Sequence, residues 1–207
     1  MTKMNFKLTL ALTAAIVVAP VAQAKKSSKR KAITVKKAVS SYYSKGHLVN
    51  RFTSWGIDPS YKKSSINLKT SWEKFEKKQD ITVAVVDTGI QFNHPFLKDN
   101  LVTTKGSLSP RSYGVDFSTK KATMTPTDTH GHGTHVAGIV KSIFPEVKIL
   151  ALKYYNPQAS GQANLNSTIK ALEYAVDQGV DIINYSGGGP EPSAAELAVL
   201  KKAEKKG

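Results

Sequence analysis

Three short apolar runs limit what this chain can fold into: Ile81–Val86, Val147–Leu152 and Val180–Tyr185. The first is an unbroken β-branched stretch, Ile81-Thr82-Val83-Ala84-Val85-Val86, with no polar alternation. A strand of that kind has both faces covered, which is the usual situation inside a parallel sheet. The runs are separated by helical patterns. His132–Ile143 is apolar and Ala-containing, and Asn164 to Gln178 carries Leu165, Ile169, Leu172 and Val176 on one face, with Gly179 as its stop. Tyr113–Phe117 reads as a further short strand, Asn93-His94-Pro95 as a turn, and Ser193 to Lys206 as a last helix. Strands alternating with helices predict an α/β fold, an open and mostly parallel sheet with helices on both faces.

In such sheets, sites form beyond the carboxyl ends of the strands. Two features fall there: Asp87, which ends the first run ahead of Thr88-Gly89, and the loop Ser186-Gly187-Gly188-Gly189-Pro190 after the last. A third feature, Thr129-His130-Gly131-His132-Gly133-Thr134-His135, sets a histidine between glycines where a loop turns into a helix. A buried carboxylate that orients an imidazole, and an imidazole that takes a proton, are two parts of a hydrolytic triad. Asp87 is the candidate orienting group and His132 the candidate general base. A nucleophile is not evident. The glycines at 187–189 suit a strand edge that pairs with an extended peptide through main-chain hydrogen bonds. His130, His132 and His135 lack the intervening glutamate of a zinc helix, and no Gly-Lys-Ser/Thr follows the 187–189 glycines, so metal and phosphate readings are weak. His135 is read as structural and His94 as a turn residue.

Charge matters chiefly through its position. The chain has 207 residues and a formal net charge of +15. Residues 25–80 carry 15 Lys+Arg against 4 Asp+Glu, and residues 81–207 carry 13 against 11. The basicity lies outside the motif-bearing part, which argues against nucleic acid as a partner and for a solvated spacer. Lys3 and Lys7, the apolar Leu8 to Val18 and Ala22-Gln23-Ala24 predict a signal peptide over 1–24, too short to span a membrane. Residues 25–47 read as a basic linker or leader. From Leu48 an aromatic arm (Phe52, Trp55, Tyr61, Trp72, Phe75) leads to a short helix around Ser71 to Lys78, within a domain of 48–207. The expected location is exported, extracellular or periplasmic. With no cysteine, stability has to come from core burial or ions.

Asp87-Thr88-Gly89, His132-Gly133-Thr134-His135-Val136-Ala137-Gly138 and Asn184-Tyr185-Ser186-Gly187-Gly188, in that order, resemble the signatures of the subtilisin-like serine proteases. The resemblance covers roughly residues 50–207, and Asp128 fits it as well. It implies endopeptidase activity on extended polypeptide, with Asp87 and His132 catalytic. Gly161, Ser186, Gly187 and Gly188 would bind the substrate backbone, Gly161 within a second edge, Ser160-Gly161-Gln162. The chain also departs from the family. It has no Gly-Thr-Ser-x-Ala nucleophile helix and no counterpart of the oxyanion asparagine. The resemblance therefore implies a fold incomplete at the C-terminus and a chain with negligible proteolysis by itself. Phe96 stands where many members place a calcium-binding aspartate, and the connection from the His132 helix to the Val147 strand is short. No cofactor is expected and the tight calcium site should be absent, with weaker calcium sites left open. Gly187 replaces a common leucine, which should widen the acyl-side pockets. Residues 25–47 are too few and too polar for the usual inhibitory propeptide. Two other readings stay open: a non-catalytic peptide-binding relative, and one half of a split protease completed by a second chain.

Overall fold

In the computed structural model the described residues are 56–57, 61, 63–68, 79–103 and 112–207. The expected signal peptide, basic linker and short helix at 71–78 lie outside them. The described part is built on four parallel strands, β1 (Thr82–Asp87), β2 (Gly114–Asp116), β3 (Lys148–Lys153) and β4 (Ile182–Tyr185), in the order β2-β3-β1-β4. Their registers pair Asp87 with Lys153, Val86 with Tyr185 and Asp116 with Lys153. Three helices complete it: α1 (His132–Ile143), α2 (Gly161–Gln178) and α3 (Ala194–Lys206). Among the described residues no helix is long and apolar enough to cross a membrane.

The unbroken apolar character of β1 is explained by its neighbours. Alternate side chains of a strand point to opposite faces, and each face has its own core. Val83 and Val85 pack with Ile149, Ala151 and Ala137 of α1. Ala84 and Val86 pack with Leu150 and Leu152, and with Leu172, Ala175 and Val176 of α2 and Val199 of α3. Helices therefore cover both faces, as the pattern predicts.

Most boundaries shift by a residue or more from the sequence reading, and two of the shifts have a side-chain cause. Helix α2 starts at Gly161, three residues before Asn164, because the Ser160 hydroxyl caps it by accepting from the Ala163 amide at 3.2 Å. Its end is as expected, with Gly179 in the left-handed conformation (φ 67°). β4 starts at Ile182 because Asp181 turns toward β1, its carboxylate accepting from the Thr82 amide at 2.8 Å. β4 is also only half-buried throughout, unlike the buried strand expected, since it is the edge of the described sheet. An edge of this kind exposes unpaired main-chain groups and favours association.

Candidate active site

Asp87 is the last residue of the central strand, so its carboxylate emerges at the carboxyl edge of the sheet while its backbone stays in the core. Its side chain is 2% exposed, against 45% for His132. His132 Nδ1 lies 2.8 Å from Asp87 Oδ1, and that same oxygen accepts from the Thr88 amide at 2.7 Å. The structure thus joins two residues 45 positions apart, with the imidazole half-exposed. Asp87 Oδ2 is buried and has no hydrogen-bond partner among the described residues. A buried carboxylate left half-satisfied is costly unless a positive group arises beside it. The His132 imidazolium is such a group.

The loop that presents His132 is held by Asp128, which is 1% exposed. Its Oδ1 accepts from the Thr88 hydroxyl (2.9 Å) and from the amides of His130 (2.9 Å) and Gly131 (2.8 Å). Its Oδ2 accepts from the Thr134 amide (3.0 Å) and hydroxyl (2.6 Å). Burial by itself would raise the Asp128 pKa. The Thr134 hydroxyl and the amides of Gly131, Thr134 and His130 outweigh it and hold the group below the ordinary carboxylate value. The residue preceding α1, Gly131, offers no side-chain cap and has φ 98°. The cap comes instead from other segments: Thr88 Oγ1 accepts from the Gly133 amide at 2.9 Å, and Asp128 from Thr134. Gly133 is needed for close approach, because a methyl group there would lie 2.2 Å from the Gly89 carbonyl oxygen and 3.2 Å from Asp87 Oδ1.

Ser186, Gly187 and Gly188 follow β4 at the same end of the sheet, with Gly187 and Gly188 exposed and Ser186 half-buried. The Ser186 hydroxyl accepts from the Asn184 side chain at 2.9 Å. Gly161 is the exposed first residue of α2, after the loop that leaves β3. At Gly187 the space next to the backbone is already filled by side chains of the chain itself. A methyl group on Gly187 would lie 2.2 Å from Tyr154 Oη and 2.7 Å from Tyr185 Cε2, so tyrosine rings occupy the room a side chain would take. Those rings meet edge to face at 5.5 Å. Gly187→Leu is therefore expected to force both rings aside, lowering stability by about 1–3 kcal/mol. Thermal unfolding of the single variant and of the pair with Tyr154→Val measures this, the second change restoring much of the loss.

Three contributors have no structural role in the sequence reading, although it names Asp128 as fitting the family pattern and quotes Thr88 within Asp87-Thr88-Gly89. Thr88 bridges Asp128 and Gly133, Asp128 templates the loop, and the Tyr154 amide donates to the Asp87 carbonyl at 3.0 Å. For Asp128 a local signal existed, an aspartate ahead of a glycine-containing helix start. Thr88 stands within the Asp87-Thr88-Gly89 motif, but neither it nor Tyr154 shows its partners locally, since those are distant in sequence.

The chain is 33% identical over 145 residues to the major intracellular serine protease of Bacillus subtilis (strain 168), covering 66% of this chain and 43% of that protein. It is 33% identical over 136 residues to subtilisin DY of Bacillus licheniformis, covering 61% and 44%. It thus spans less than half the length of these curated relatives. A crystal structure of a lanthipeptide protease aligns with 28% identity and a TM-score of 0.44, covering 61% of this chain and 34% of that one. The family model described as the Subtilase family matches residues 78–207, well over half of the sequence and all of the sheet just described. The chain belongs to the subtilase family.

Proposed function

We propose that this chain is the N-terminal portion of the catalytic domain of an exported subtilisin-like serine endopeptidase. The observation that carries the reading is the 2.8 Å contact between a buried carboxylate and a half-exposed imidazole at the carboxyl edge of the sheet. In this reading Asp87 holds the Nδ1–H tautomer of His132. Nε2 then takes the proton of a serine hydroxyl as that oxygen attacks the peptide carbonyl, and returns it to the leaving amine. His132 opens a helix, whose N-terminal dipole disfavours an imidazolium, and the Asp87 charge offsets that. Gly161 and the Ser186–Gly188 edge flank an extended polypeptide substrate. The serine and the oxyanion donor come from polypeptide outside this sequence, in the same product or in a complementing chain.

Reaction of the native protein with a fluorophosphonate serine-hydrolase probe, read by intact mass, tests this. A labelled species much heavier than the 22.4 kDa of this chain is expected. An unlabelled native species of this chain's size, with no complementing polypeptide in association, overturns the enzymatic reading. Such a species that still binds extended peptides would be a peptide-capturing relative, which the exposed glycine edge suits. The N-terminal sequence of the protein from culture medium tests export, a start after Ala24 being the expected result.

A further inference from the structure

Phe96 stands where many subtilases place a calcium-binding aspartate, and the residues at that place do not fit a calcium ion. Calcium is bound by oxygen ligands, carboxylates and carbonyls, gathered around one point. Here the side chain after His94-Pro95 is the buried ring of Phe96, which supplies no oxygen. The Phe96 carbonyl already accepts from Lys141 Nζ, and the ammonium lies 4.5 Å from the Phe96 ring centroid. A fixed positive charge at that carbonyl repels a second cation.

The same two segments meet again one turn further on. Asn100, 6% exposed, donates its side-chain amide to Pro145 O at 2.8 Å and to Val147 O at 2.7 Å. Pro145 and Val147 lie in the short connection from α1 to β3. Three carbonyls at this junction, those of Phe96, Pro145 and Val147, are thus met by side-chain nitrogens of the chain itself. The junction also carries part of the sheet: the Ile149 amide donates to Asn100 O at 2.8 Å, and the Val102 amide to Ile149 O at 2.9 Å. Burial of the Lys141 ammonium is costly and lowers its pKa, an effect that nearby Asp99 opposes.

We propose that Lys141 and Asn100 are a built-in replacement for bound calcium, tying the turn at 91–100 to the α1–β3 connection with covalently attached donors. A cation on a side chain is present at any calcium concentration and is not removed by chelators. This part of the fold is therefore indifferent to calcium, whatever happens at the catalytic pair.

The test uses the full chain, with thermal unfolding and amide hydrogen exchange in millimolar calcium and in excess EDTA. Wild-type exchange at Leu97, Lys98, Asn100 and Ile149 is expected to be the same in both. Lys141→Met keeps the aliphatic stem but removes the ammonium. It should speed exchange at Leu97 and Lys98 and lower the midpoint by roughly 2–5 °C in both conditions. Lys141→Arg keeps a cation at the Phe96 carbonyl and should stay closer to wild type. Asn100→Ala should loosen Ile149 in the same calcium-independent way. A calcium-dependent protection of these amides in the wild type overturns the proposal. So does a Lys141→Met variant with wild-type exchange and midpoint. Calcium protection confined to other segments, with these amides unchanged, supports it.

Discussion

On the proposed function, Asp87→Asn in an assembled, serine-containing protease is expected to lower kcat by about 10⁴-fold, with KM little changed. An asparagine of the same shape keeps the packing of a side chain that is 2% exposed. Its amide, however, can donate to Nδ1 of His132, where the carboxylate only accepts. The ring then carries its proton on Nε2, the atom that has to receive one from the nucleophile. An imidazolium formed there also loses the negative charge 2.8 Å away. The same change is readable without any serine, in this chain alone. The ¹⁵N chemical shifts of His132 report which ring nitrogen carries hydrogen, and the substitution should exchange the two. An unaltered tautomer, together with unaltered kcat, would leave Asp87 as no more than a strand-end residue.

Asp128→Ala is expected to have the largest effect on stability, about 3 kcal/mol or more. The change strands the amides of His130, Gly131 and Thr134 and the hydroxyls of Thr88 and Thr134 beside a site that is 1% exposed. Hydrogen bonds to a charged acceptor are worth more than neutral ones, and the buried Thr88 hydroxyl loses its acceptor outright, while the other donors, nearer the surface, lose the charged anchor of the loop. Chemical denaturation of the chain measures the loss. Exchange at the Gly131 and Thr134 amides should accelerate before that at Val85, which lies in the core of β1. The pH dependence has a definite sign. The folded pKa of Asp128 is lowered, so its contribution is fully present above the unfolded carboxylate value of about 3.9. It declines as pH falls from there through the lower folded pKa. Asp128→Asn, which cannot ionise, should flatten that part of the acid-unfolding curve. An unchanged curve would show that Asp128 is not held ionised by its five donors.

Much of the architecture was readable from periodicity. The apolar runs at 81–86 and 147–152, the second interrupted only by Lys148, imply strands covered on both faces, and the stripe from Leu165 to Val176 implies a helix on one of those faces. Both follow from local geometry, because the side-chain repeat of an element is fixed by its backbone. The glycines around His132 and the Asp87-Thr88-Gly89 strand end were legible for the same reason. They mark where a backbone turns or is approached closely.

What the sequence determined by itself was the set of elements, their faces, and the residue types able to orient and move a proton. Tertiary structure decided which residues meet. Asp87 and His132 come into contact only because β1 lies at the centre of the sheet and Thr88 and Asp128 together cap the start of α1. The room a side chain would take at Gly187 is occupied by the rings of Tyr154 and Tyr185. Lys141 and Asn100 reach carbonyls 45 to 47 positions away. Such contacts join segments remote in the chain, and no short window of sequence encodes a distance between them. Their geometry is set by packing and by the need of buried polar groups for partners, which are satisfied only once the whole sheet has formed.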